Sequence, residues 1–168
     1  MRKISEDYSA QSAREELNQI FADHPTVQAS IDAMSNTTVC VLAGMMSGKT
    51  VTTAGYTIDA DYGVKRASAV MHNIEQHWFP VSSRRVETES DVGNKTHQSL
   101  FFISKDDLHD LTVSPEHVLD KCREHASIKK NQREQQDMRR LLKELGTDGV
   151  QKLLDQVAND SDPDKNVS

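Results

Sequence analysis

The sequence predicts a mainly α-helical chain with one small β-hairpin, and three observations carry that prediction. Apolar residues recur at three- and four-residue spacing along most of the 168 residues. Ser, Thr and Pro sit where such stretches begin, and Gly where they end. Two strand-like runs, Phe79 to Glu87 and His97 to Ser104, flank the polar turn TESDVGNK.

Taken in order, Ser12 with Glu15 has capping-box spacing for a first helix, whose apolar face is Leu17, Ile20 and Phe21. Pro25 opens a second, with Val27, Ile31 and Met34. Asn36 or Thr37 can cap a third, which carries Val39, Leu42, Met45 and Met46 towards a stop at Gly48. Thr50 to Thr52 are β-prone, and Thr52 or Thr53 can cap a further helix reaching Asp61. Gly63 then supplies a turn into a helix from Val64. Its Val64, Ala67, Val70, Met71 and Ile74 share one face, so Lys65, Arg66, Ser68 and Asn73 point away from it. Pro80 forbids further helix, and the chain leaves extended into the hairpin. Trp78 and Phe79, at this junction, suit the plug of a core better than a stacking platform.

Beyond the hairpin, Ser114 and Pro115 start a long helix that could run to Leu145 before Gly146, through the wholly polar KKNQREQQD. That gap cannot bury a stripe, so the helix either spans solvent or breaks in two. Asp148 can cap a last helix with Val150, Leu153, Leu154 and Val157 on one face, which makes a helical hairpin able to form a homodimer. The final NDSDPDKNVS has no apolar period and is expected to be disordered. No internal repeat is visible. The expected organisation is an N-terminal helical segment (1–36), a core (37–105), a C-terminal helical region (106–158) and an acidic tail (159–168).

Three helices followed by a hairpin make a winged helix. The text KTVTT, then YGVKRASAVMHNIEQHWFPVSSRRVE, resembles the small phage and bacterial winged helix-turn-helix DNA-binding domains over about Thr37 to Lys105. Their pattern is a threonine-led second helix, glycine, an aliphatic residue, arginine, alanines, a turn with proline and a basic wing. The resemblance implies double-stranded DNA binding, with the helix from Val64 in the major groove. Lys65, Arg66, Ser68 and Asn73 would face base edges and nearby phosphates, while Arg84, Arg85, Lys95 and His97 would approach the backbone from the wing. The longer AGYTIDADYG and the acidic Glu87, Glu89 and Asp91 depart from the pattern. A phage or mobile-element transcriptional regulator or replication accessory factor follows as the expected function.

Charge bears on the same reading. The formal net charge is −6, which opposes phosphate, but the distribution is uneven. Basic against acidic residues number 3 against 6 over 1–36, 7 against 6 over 37–105, and 10 against 14 over 106–168. The core is thus the least acidic part. Lys121 to Lys143 alone carries 8 basic and 3 acidic residues, either a solvated helix face or a further contact to the DNA backbone.

Other chemistry is weaker. AGMMSGKT, Ala43 to Thr50, fits the loose phosphate-loop pattern, with Gly48, Lys49 and Thr50 as the nucleotide and magnesium contacts, and resembles the loop of thymidine kinases over those eight residues. The loop should open a good helix, and Val51 to Asp61 is rich in Thr and Gly. Cys122 and His125 share a face but do not close a zinc site, so no metal or cofactor is expected. No residue set suggests a catalytic centre, so an enzyme is not expected. Two unpaired cysteines, no long apolar run and no leader-like start place the chain in the cytoplasm, away from membranes. A host protein bound through the acidic surface, or a small DNA-packaging subunit, are the competing functions.

Overall fold

Serine caps and one long apolar run organise the amino-terminal half. The structure, a computed structural model, describes residues 1–53, 58–89 and 93–160. Helix α1, Ala10–Ile20, starts at Ser9 and not at Ser12: the Ser9 hydroxyl accepts from the Ser12 amide while the Ser12 hydroxyl accepts from the Ser9 amide. This reciprocal pair satisfies two donors at once, which a single Ser12 cap could not. Pro25 opens α2, Pro25–Asp32, as expected. The Arg14 guanidinium then donates to the carbonyls of Ile31 (2.7 Å), Asp32 (3.3 Å) and Met34 (2.6 Å), neutralising the negative end of α2.

Helix α3, Asn36–Met46, is capped by Ser35 and is buried from Thr38 to Met45. It is apolar all round because other elements cover it all round. Gly44 permits this: a Cβ there would lie 3.0 Å from the Ile4 side chain and 3.3 Å from the Tyr62 ring. Gly48 follows at φ 76° and ends the helix where the sequence predicts.

The expected helix from Thr52 or Thr53 to Asp61 does not form in its described residues. Val51–Thr53 is strand β2, Ile58 to Ala60 are irregular, and Tyr62–Val64 is strand β3; residues 54–57 lie outside the described residues. The β-branched run from Thr50 to Thr53 prefers the pleated surface, and parallel pairing of β2 with β3 captures it. Strand β1, Arg2–Lys3, adds to β3, so the first residues join the sheet. Strands β4, Ser82–Glu89, and β5, Lys95–Phe102, form the hairpin, whose turn falls partly on residues 90–92, outside the description. The five strands run β1-β3-β2-β5-β4, parallel on one side and antiparallel on the other. The molecule is therefore mostly helical with a small mixed sheet.

Helix α4, Ala67–Gln76, begins three residues later than expected, after a turn at Lys65 and Arg66. Its Ala67, Val70, Met71 and Ile74 enter the core with Leu17, Phe21, Leu42 and Phe79. Phe79 is almost fully buried and meets Phe21 edge-on at 6.1 Å, the plug expected of it. Helix α5, Lys105–Val113, is capped by Ser104 and was not foreseen; it buries Leu111. Helix α6, Pro115–Asp160, starts at Pro115 and carries one non-helical residue, Gly146. The chain divides into two units, residues 1–123 and 124–168. Within the second, KKNQREQQD stays helical and exposed, so the solvent-spanning alternative holds there. The expected last helix runs on to Asp160, and residues 161–168 of the expected tail lie outside the description.

Candidate nucleic-acid interface

The core-facing residues of α4 fix which residues face outwards. Ser68, Ala69, His72, Asn73 and Gln76 are all exposed and, at 100° per residue, lie within one arc of about 140°. The face is polar, with the small Ala69 near its centre and the exposed carboxylate of Glu75 about 20° beyond Ser68 at its edge. Gln76 Nε2 lies 3.2 Å from His72 Nε2. Ser68 and Asn73 were foreseen on this face; His72 and Gln76 belong with them, and the four-residue steps from Ser68 were the signal that marks them.

Both ends of α4 are held by strained backbone. Arg66, at φ 56° and ψ 40°, is in the left-handed region and makes no side-chain cap, and its carbonyl accepts from the Ala69 and Val70 amides. At the other end Trp78 has φ 67°. Its amide donates to the Glu75 carbonyl and that of Phe79 to the Ile74 carbonyl, the double bond of a Schellman stop with Trp where Gly is usual. A bulky residue there is an outlier that only surrounding contacts can hold. The Arg123 guanidinium lies 5.6 Å from the Trp78 ring centre, and His77 Nδ1 is 3.0 Å from the Ser30 hydroxyl.

Lys65 and Arg66 are brought together, exposed, directly before α4. The wing residues are not gathered in the same way. Arg84 and Arg85 are neighbours on one strand and so point to opposite faces of the sheet. Arg84 is paired with Leu100 and Arg85 with Ser99, while His97 sits across from Glu87 and Lys95 across from Glu89. Lys95 Nζ also bridges to Glu87 at 2.8 Å. One face of the wing thus carries Arg85, Lys95 and His97 balanced by Glu87 and Glu89, and the other carries Arg84.

The phosphate-loop alternative meets a different geometry. Ala43 to Met46 close a helix and Val51 opens a strand, the reverse of strand, loop, helix. The Gly48 amide donates to Met45, the Lys49 amide to Gly44 and the Thr50 amide to Asp61, so the groups that would cradle phosphate are used. Lys49 Nζ lies 3.5 Å from Asp61. Burial pushes the thiols of Cys40 and Cys122 up, away from thiolate chemistry. Among the described residues no group of three or more His, Cys, Asp or Glu is placed to hold a metal, and no helix is long and apolar enough to cross a membrane.

No known protein family matches the chain, and neither a curated protein nor a solved structure does.

Proposed function

We propose that the protein binds duplex DNA, with α4 entering the major groove as the recognition helix of a winged helix. The observation that carries this reading is the outward face of α4, Ser68, His72, Asn73 and Gln76 around Ala69, preceded by the exposed pair Lys65 and Arg66. Hydroxyl, imidazole and amide groups match the donor and acceptor pattern of base edges, and a small central residue allows close approach. The cations and the uncapped first turn suit phosphates flanking the groove.

The element order supports the same reading. Helix α3, strand β2, helix α4 and hairpin β4–β5 keep the winged-helix order except for the second helix of the helix-turn-helix, which does not form among the described residues, and β2 lies beside β5. The short parallel strand β3 stands where such a domain would carry part of its second helix. A role in phage or mobile-element transcription or replication is the process this reading suggests.

The experiment is fluorescence anisotropy of a random-sequence duplex about three helical turns long, titrated at several salt concentrations. Affinity that falls steeply with salt, and falls further in the Lys65→Ala, Arg66→Ala double variant, supports the reading. No binding at low salt, or binding unchanged in a folded double variant, removes it.

A further inference from the structure

We propose that the segment 124–160 pairs antiparallel with the same segment of a second copy of the chain. This does not rest on the DNA reading, because the surface and its test need no nucleic acid.

Two eight-residue stretches flank the break at Gly146: MRRLLKEL, Met138 to Leu145, and VQKLLDQV, Val150 to Val157. Each has apolar residues at its first, fourth, fifth and eighth positions, the spacing of one face over two helical turns. Only the two leucines coincide in identity, so the likeness is one of apolar spacing and not of sequence. Val150 is buried, yet Met138, Leu142, Leu145, Leu153, Leu154 and Val157 remain 41–58% exposed. Among the described residues of the first unit, which is several times longer, only Met1, Ile20 and Val113 are exposed large apolar residues. On each side of Gly146 the exposed apolar side chains share one helical face, and chains seldom leave such rows open.

Charge selects the occupant. Residues 124–143 carry six basic and three acidic residues, whereas 144–160 carry one basic and four acidic. A partner of uniform charge would be repelled by one half. A parallel second copy would set basic against basic. An antiparallel second copy aligned octet to octet sets residues 135–143, with three basic and one acidic residue, against residues 152–160, with one basic and two acidic, the self-complementary arrangement of a two-fold interface.

The test is sedimentation equilibrium of the full chain, without DNA, over about a hundredfold range of protein concentration. The expected result is a monomer–dimer equilibrium that the double variant Leu142→Glu, Leu154→Glu shifts to monomer. Both residues are exposed, so circular dichroism should be unchanged. Zero-length cross-linking of mixed isotope-labelled and unlabelled chains should then join Lys143 of one copy to Asp148 or Asp155 of the other. A monomer at every concentration overturns the proposal, as does a dimer that survives both glutamates. Mixed-isotope links confined to like halves overturn the antiparallel alignment.

Discussion

The Thr50 amide and hydroxyl both donate to one carboxylate oxygen of Asp61, at 2.9 and 2.8 Å, and the Asp61 amide donates back to the Thr50 hydroxyl at 3.1 Å. With the Tyr62 amide on the Thr50 carbonyl at 3.0 Å, these bonds close the segment between β2 and β3 at its base. Asp61→Ala removes the acceptor of two bonds. It should lower stability by about 1–2 kcal/mol, the low end for charge-assisted bonds because the carboxylate is partly solvated. Urea unfolding measures this, and a loss too small to resolve would show that the closure is not stabilising.

Acid should loosen the same region. The Thr50 amide holds the Asp61 carboxyl below its ordinary value of 3.8, and the Tyr62 hydroxyl, followed by Arg2, does so for Asp7. Depressed folded values mean that both groups stabilise the fold fully above that ordinary value. Their contribution is lost as pH falls through the still lower folded values. Melting temperature should therefore fall below about pH 4, and less steeply in Asp61→Asn; an equal slope in the variant would assign the effect elsewhere.

Arg66→Gly should move stability and binding in opposite directions. A non-glycine residue in the left-handed region costs roughly 1–2 kcal/mol, while glycine adds back about 0.5–1 kcal/mol of chain entropy. Stability should hold or rise by up to about 1 kcal/mol, while duplex affinity falls. Thermal melts and anisotropy on the same sample read both, and a parallel loss of the two would mark Arg66 as structural.

The wing makes a separate prediction from its ion pair. Because Lys95 is bridged to Glu87, Glu87→Gln frees a cation and removes a repulsion, so non-specific affinity should rise. Lys65→Ala should instead reduce the slope of log affinity against log salt by about 1, with little change in sequence preference. Substituting Asn73 should relax preference at one base-pair position with the salt slope kept. Binding profiles over a duplex library at two salt concentrations distinguish these outcomes, and equal effects from all three would sink the division of roles.

Where local chemistry specifies local structure, the sequence is readable. Pro25, Gly48, Pro115 and Gly146 stand where elements start, stop or break, and the apolar spacing of α4 survives a three-residue shift of its start. The strands β1 and β3 were invisible for a physical reason: two or three residues make no pattern, and their partners are brought near only by the fold. Helix α5 had a local sign, the Ser104 hydroxyl accepting from the Asp107 amide, but only two apolar leucines behind it. The outward residues of α4 were half legible. Ser68 and Asn73 follow from their place opposite the apolar face, and the four-residue steps from Ser68 add His72 and Gln76. The basic wing was legible as composition and not as a surface, since strand alternation splits Arg84 from Arg85.

The placement of β1 beside β3 has a consequence for the order in which the chain can assemble. During synthesis Arg2 and Lys3 are made some 60 residues before their partners Tyr62 and Gly63, and the Phe101 that pairs with Val51 comes later still. At 5–20 residues per second the first strand waits about 3–12 s for its neighbour. Until then the helices α1, α2 and α3, built from local contacts, can form without the sheet, and β1 waits for β3 while both precede the hairpin β4–β5.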